Sequence, residues 1–291
     1  MTDWMTAIEA KSASALASGA LQPVEVEEIE VEDAGLRITL RWVSSLAAKD
    51  AAAKVAIPGG PRDPNFNPFL NPDPELTVGP VGPEHVAILN KFPLCAGHLV
   101  LARSSFAEQL APITRGDFAA LAMLMAQAGG IGLYNGGAEA GASQRHKHLQ
   151  WMPEAPGNAS LRLYAPGLPA DAPELTTATH PALPMRHVFV RDRCGRGTPV
   201  DTAADSLHAG FLRACDILDL APGTDGLLPP FNLLAGDGWL LVIPRRAEHF
   251  EDVSLSAVCF AGTLSTRAAE QIEAVRSTGP LRALAATGFP P

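Results

Sequence analysis

The segment His146-Lys147-His148-Leu149-Gln150 carries two imidazoles and an amide at alternate positions. On an extended strand, side chains two apart share a face. His146, His148 and Gln150 therefore converge, while Lys147 and Leu149 point the other way. A neutral imidazole can attack phosphorus and hold the transferred group as a phosphoramidate until an acceptor takes it. The same pair could instead ligate a metal. Cys95 and His98, at C-x-x-H spacing, are then the obvious further ligands for a structural zinc beside His146. A plain surface strand with two hydrogen-bonded histidines is the third reading.

Just upstream lies a glycine-rich stretch from Tyr134 to Gln144, YNGGAEAGASQ. Glycines let backbone N–H groups turn inward as an anion-binding nest, and Ser143 and Gln144 can add side-chain donors. Gly136 and Gly141 have the G-x-x-x-x-G spacing of a phosphate loop. The next residues, however, are Ala142-Ser143, without the lysine that a nucleoside-triphosphatase loop uses. Taken alone the stretch could be a flexible turn. Its position, feeding directly into the paired histidines, favours a phosphate cradle beside an imidazole, and phosphoryl transfer depends chiefly on such positioning and charge neutralisation.

The elements that must hold these residues follow from periodicity and breakers. Helices are expected near Trp4–Leu16, Phe118–Ala128, Ala203–Leu218, Arg267–Ser277 and Leu281–Ala286. Strands are expected from Gly35, at His85–Lys91, His98–Arg103, Gly130–Asn135, Arg145–Met152, His187–Arg191, Pro230–Ala235 and Trp239–Arg245. Pro58–Pro83 reads as a loop or linker and Pro153–Pro184 as a long surface excursion. Asn90 precedes Arg103 by 13 residues, Asn232 precedes Arg245 by 13, and LVLAR and LVIPR end the two segments alike. That echo suggests a degenerate duplication of a strand–turn–strand unit.

Composition bounds the partners. With 291 residues, 47% hydrophobic and 18% charged, the chain can bury a large core and is globular for most of its length. A net charge of −9 argues against a nucleic-acid or anionic-membrane binder. Four dispersed cysteines suit a reducing compartment, and neither a secretory leader nor a membrane-length apolar run is apparent, so a cytoplasmic protein is expected. Only five lysines stand against seventeen arginines, which makes each lysine worth locating.

The segments LNKFPLCAGHLVLAR, YNGGAEAGASQRHKHLQWMP, PFNLLAGDGWLLVIPR and the later CFAG and GPLRAL, in that order, resemble the ATP adenylyltransferases, also called diadenosine tetraphosphate (Ap4A) phosphorylases. These belong with galactose-1-phosphate uridylyltransferase in the histidine-triad superfamily. The resemblance runs from about Gly35 to the C-terminus, and the GASQ-x-HKHLQ block is its most specific part. It implies an α+β fold of antiparallel sheets with flanking helices, in which two degenerate halves share one chain. Residues 1–160 would form the catalytic half and 183–291 the second, joined by the proline-rich 153–184. A fused pair makes a monomer the expected state.

The resemblance also implies roles. His148 looks like the nucleophile that carries AMP, Gln150 like the residue contacting the α-phosphate, and His146 like an orienting group. Where hydrolases of the superfamily have a third histidine, this chain has an amide, a poor proton-transfer group, so an adenylylated histidine would wait for phosphate. Asn135 and Gly141, Ala142, Ser143 and Gln144 resemble the phosphate and ribose contacts. Lys49, Asn90 and Lys91 match positions near the polyphosphate or base, and Asn232 and Arg245 match second-half positions. Blander readings stand beside these: Lys49 as an exposed helix lysine, Asn90 and Lys91 as a strand end, Asn232 and Arg245 as structural. Gly236 and Trp239-Leu240 depart from the family pattern, as does the lack of an asparagine around Val258–Phe260.

The substrates implied are Ap4A, ATP, ADP and inorganic phosphate. A divalent cation, magnesium, would accompany the nucleotide, with no tightly bound cofactor. A histidine-triad hydrolase, another nucleotidyl transferase and a non-catalytic nucleotide sensor are the alternatives.

Overall fold

The computed structural model describes residues 3–23, 26–42, 67–153, 168–169, 171–266 and 269–291. In chain order, helix α1 (Trp4–Ser18) precedes a hairpin of β1 (Glu27–Asp33) and β2 (Leu36–Trp42). Strands β3 (Thr77–Val81), β4 (His85–Leu89) and β5 (Leu99–Arg103) follow, then α2 (Arg115–Ala128), β6 (Ile131–Gly136) and β7 (His148–Met152). Next come β8 (Thr177–Ala178), β9 (Val188–Arg191), α3 (Val200–Leu218), β10 (Phe231–Gly236) and β11 (Trp239–Pro244). The chain ends through β12 (His249–Phe250), β13 (Val253–Ser254), β14 (Thr263–Thr266), α4 (Ala269–Thr278) and α5 (Pro280–Ala286).

A nine-stranded sheet in the order β3-β4-β5-β7-β6-β10-β11-β9-β8 forms the middle layer. Each pair of neighbouring strands in it is antiparallel. One face is covered by α1, α2 and α3 through residues such as Ile8, Phe118, Leu121 and Phe211. The other is covered by the small sheet β1-β2-β14 with α4 and α5, through Ile38, Leu264, Val275 and Leu284. The fold is thus α+β. No helix among the described residues is long and apolar enough to cross a membrane.

The order of strands contains an exact repeat. The succession β4-β5-α2-β6-β7 packs as β4-β5-β7-β6, and β8-β9-α3-β10-β11 packs as β8-β9-β11-β10. The two units meet where β6 pairs antiparallel with β10. The strand order thus repeats, but not in the alignment that the sequence echo suggested. The echo aligned β4-β5 with β10-β11, whereas the topology aligns β5 with β9 and β7 with β11. Apolar strands ending in arginine misled because composition alone cannot distinguish one hairpin from another. The informative match is His98 ahead of β5 and His187 ahead of β9, both buried.

Register then says what became of the second half. In β5 and β7, Val100 faces Gln150 and Ala102 faces His148; in β9 and β11, Phe189 faces Leu241 and Arg191 faces Trp239. Aligning the two histidines places Trp239 at the position of His148 and Leu241 at that of Gln150. Gly236, across from Trp239, takes the position of Asn135. A Cβ at Gly236 would lie 2.3 Å from the Trp239 indole, so glycine there makes room for the ring. The eleven-residue connection from Gly137 to Lys147 in the first half also shrinks to the Asp237-Gly238 turn in the second. The second half has an indole plug where the first has an imidazole. Gly236→Val should cost about 1–3 kcal/mol through overpacking. A thermal melt reads this, and an unchanged melting temperature would contradict the plug.

Two further differences from expectation have physical causes. Strand β3 falls inside the expected Pro58–Pro83 loop. It is an edge strand with a register shift between Thr77 and Gly79, and an edge tolerates Pro80 because one side of the ladder is unpaired. Strand β14 pairs in parallel with β2, joining chain segments far apart in sequence, which no local pattern announces.

Candidate active site

The site lies where β7 leaves β6. Their ladder ends at Leu133–Gln150, and two residues further along stand Asn135 on β6 and His148 on β7. Asn135 in turn faces Asn232 across the β6–β10 pair. A row of polar side chains therefore crosses the sheet on one face. Lys147 leaves by the opposite face, as alternation requires, and its ammonium sits 2.7 Å from Asp117 at the start of α2.

His148 is 5% exposed. Its Nδ1 donates to the backbone oxygen of His146 at 2.8 Å, which leaves Nε2 as the bare nitrogen. Burial lowers its pKa to about 4, outweighing the opposing effect of that hydrogen bond, so the ring is neutral at physiological pH. Phe69 packs on it with ring centroids 4.9 Å apart and also touches the His146 ring at 5.8 Å. His146 is engaged at both nitrogens: Nε2 donates to the Arg103 carbonyl at 2.7 Å, and Nδ1 accepts from the Asn67 amide at 2.8 Å.

Gln150 is oriented by a chain of bonds that starts at a turn. The Leu94 N–H donates to His98 Nδ1 at 3.2 Å, with the Asn90 amide at 3.4 Å from the same atom. His98 must then carry its proton on Nε2, which donates to Gln150 Oε1 at 2.8 Å. The Gln150 NH2 group is thereby set as the donor end. Burial also lowers the His98 pKa to about 4. Both His98 nitrogens are therefore taken by protein groups, and no group of three metal-ligating side chains lies among the described residues.

The glycine-rich loop is shaped by Gly137 and Gly141, both at positive φ, flanking a short 3-10 turn at Ala138–Ala140. A Cβ at Gly141 would lie 2.9 Å from Ser256 Cβ, so second-half residues back the loop. The N–H groups of Ala140, Gly141 and Ala142 bond within the loop. Those of Ser143 and Gln144 make no hydrogen bond among the described residues and are available to an anion.

Asn135 accepts from the Ala257 N–H at 2.8 Å and from the Asn232 amide at 3.0 Å, both on Oδ1. Its NH2 group has no partner among the described residues. Asn232 is fully buried and also donates to the Ala140 carbonyl at 2.9 Å. Arg245, 1% exposed, donates to Asn232 Oδ1 and to the carbonyls of Ala247 and Leu255 at 2.8 Å. Burial lowers the Arg245 pKa to about 10, which still leaves it charged. The structure therefore puts Asn232 and Arg245 beneath the loop as its support, with their polar groups turned to protein. Lys91 is exposed, its ammonium 5.7 Å from the Phe92 ring centroid. Lys49 lies outside the described residues.

Sequence reasoning missed Gln109, Asn67 and the part played by His98 toward Gln150. The first two are single polar residues in irregular segments, and no spacing signals them. His98 had a signal, its recurrence as His187 ahead of β9.

Residues 2–163 match the sequence model of the Ap4A phosphorylase N-terminal domain, and residues 181–290 match that of the ATP adenylyltransferase C-terminal domain. The chain belongs to the Ap4A phosphorylase family. Among its members, the diadenosine 5′,5‴-P1,P4-tetraphosphate phosphorylase 2 of Saccharomyces cerevisiae is 31% identical over 162 residues, covering 50% of this chain and 48% of that protein. The match thus spans about half the length of this curated relative. The crystal structure of yeast Ap4A phosphorylase Apa2 superposes with a TM-score of 0.75 at 21% identity, over 100% of this chain and 95% of that one. Its complex with Ap4A gives 0.76 at 20%, over 100% and 98%. At that identity the superpositions speak for the fold. Within the Ap4A phosphorylase fold, this chain keeps its imidazole pair in the first half and closes the second.

The two imidazoles also make a stability statement. His98 and His148 stay neutral when folded, with pKa values near 4, but titrate near 6.5 once unfolded. As pH falls below about 6.5 the unfolded chain takes up those protons first, so stability should decline until about pH 4. Melting temperatures at pH 7 and pH 5 test the sign, and a higher value at pH 5 would contradict it.

Proposed function

We propose that this chain is an Ap4A phosphorylase that transfers AMP through His148. His148 Nε2 attacks the α-phosphorus of Ap4A; the N–P bond forms, the P–O bond to the next phosphate breaks, and ATP leaves. The Nδ1 proton stays on the ring, where the His146 carbonyl oxygen stabilises the positive charge that develops as Nε2 bonds phosphorus. An oxygen of inorganic phosphate then attacks the same phosphorus. The P–N bond breaks, ADP forms and His148 returns to its neutral state. The Gln150 NH2 and the N–H groups of Ser143 and Gln144 are the donors offered to the equatorial oxygens.

The observation that carries this reading is the tautomer of His148: buried, neutral, its Nδ1 proton given to a backbone oxygen and its Nε2 bare. A divalent cation such as magnesium would travel on the polyphosphate. With no three-ligand cluster among the described residues, its ligands would come from the nucleotide. Four cysteines dispersed along the sequence suit a cytoplasmic setting, and both halves within one chain suit a monomer.

Product analysis with and without phosphate tests the reaction. The proposal requires ATP and ADP in equal amounts when phosphate is present, and no sustained turnover when it is absent. Steady AMP release without phosphate would make the chain a hydrolase instead.

A further inference from the structure

Gln109 is 3% exposed in the loop between β5 and α2, and its amide sits in the gap where the β6–β7 ladder stops. Its Nε2 donates to the Asn135 carbonyl at 2.8 Å and to the His148 carbonyl at 3.0 Å. Its Oε1 accepts from the His148 N–H at 2.9 Å. One side-chain amide thus takes up both backbone groups of the proposed nucleophile and ties them to the neighbouring strand. The Gln109 backbone is held as firmly: its N–H donates to the Arg145 carbonyl at 2.8 Å, and its own carbonyl accepts from the Tyr134 hydroxyl.

The same loop grips the preceding histidine segment. Glu108 bridges His146, and the Lys147 N–H donates to the Ala107 carbonyl at 2.9 Å. On the other side the Lys147 carbonyl accepts from the Arg103 N–H at 3.1 Å. The strand therefore exchanges β6 for the 107–109 segment just before His148. That exchange sets the backbone from His146 to His148, which is what aims the His146 carbonyl at His148 Nδ1. A continuous β6–β7 ladder would need no such side chain. Gln109 is the piece that lets the ladder fork.

We infer that Gln109 is a positioning residue, which fixes the backbone at the fork so that His148 keeps its proton on Nδ1 and presents Nε2 to phosphorus. This rests on the proposed role of His148 but is read out separately from it. Removing the amide leaves the His148 N–H and two carbonyls without their partner, so the segment relaxes and the two tautomers mix. A misplacement of this kind lowers the rate of the chemical step, not the affinity for nucleotide.

The test uses the full chain and three proteins: wild type, Gln109→Leu and Gln109→Glu. Nitrogen-15 NMR of the His148 ring reports the tautomer, and single-turnover and steady-state kinetics with Ap4A and phosphate report kcat and KM. Wild type should show the proton on Nδ1. Gln109→Leu should show mixed tautomers, with kcat lower on the order of 10²-fold and KM within about threefold. Gln109→Glu keeps the acceptor for the His148 N–H but turns a carboxylate oxygen toward both carbonyls, so it should disturb the tautomer and kcat at least as much as leucine does; it also carries the test if the leucine variant does not fold. A folded variant with the wild-type tautomer and kcat, or one in which only the melting temperature falls, overturns the inference. Wild type with its proton on Nε2 overturns it as well. If wild type has the Nδ1 tautomer, and Gln109→Leu disturbs it, but Ap4A is not turned over, the positioning role stands and the proposed reaction fails.

Discussion

His148→Ala is expected to lower phosphorolysis of Ap4A by about 10⁴-fold or more, because no other group among the described residues can take the place of the bare Nε2. His146 is the nearest imidazole, but both of its nitrogens are held, by the Arg103 carbonyl and the Asn67 amide. His98 is likewise held between Leu94 and Gln150. The substitution should leave nucleotide binding largely intact, since the loop donors at Ser143 and Gln144 do not depend on the ring. Steady-state rates together with nucleotide titration check both halves of this expectation. Retention of a tenth of the activity in a folded His148→Ala protein would show that phosphate attacks Ap4A directly.

Asp117→Ala should give the largest loss of stability of any single change considered. Its carboxylate is fully buried and meets Lys147 at 2.7 Å, His85 at 2.9 Å and Arg103 at 3.3 Å. Burial by itself would raise its pKa, but the His85 hydrogen bond, the Lys147 charge and the Thr114 N–H together hold it well below the ordinary carboxylate range. The same carboxylate closes the capping box of α2 with Thr114. Without it, the Lys147 ammonium is left 1% exposed, with the Pro112 carbonyl at 2.7 Å as its remaining partner among the described residues. Breaking a buried pair by removing one partner costs about 3–5 kcal/mol, against a total stability of about 5–15 kcal/mol. Asp117→Ala combined with Lys147→Met should recover most of that loss, because the uncompensated charge goes too. Thermal or denaturant melts of the single and double variants decide it. Equal melting of the two would show that the ion pair is not the source of the cost. Lys147 lies between the two histidines in sequence, so the cluster also anchors the strand from the far side of the sheet.

These expectations separate what sequence shows from what it hides. The strand bearing His148 is visible because a period of two puts His146, His148 and Gln150 on one face and sends Lys147 to the other. The loop from Gly137 to Gln144 is visible because glycine and small polar residues mark a backbone that turns. Family membership was legible from those same segments. The true repeat was hidden, because β5 and β9 share little beyond a leading histidine and an apolar run, while β11 carries Trp239 where its counterpart β7 carries His148. Gln109 was hidden for another reason: it acts through a gap in a ladder, and gaps exist only once strands are paired. Asn232 and Arg245 were legible as a conspicuous pair, but only burial reveals that their hydrogen bonds all turn toward protein. Of the three lysines among the described residues, Lys147 is buried as a structural cation, Lys91 is exposed near the Asn90 turn, and Lys11 donates to the Pro74 carbonyl.

The most direct test of the account is to mix the wild-type chain with Ap4A in the absence of phosphate. The account predicts a burst of ATP close to one per chain, then no further turnover, with AMP found covalently on His148 by peptide mass analysis and discharged as ADP when phosphate is added. Release of ATP without a labelled histidine, or a label on any other residue, would contradict it.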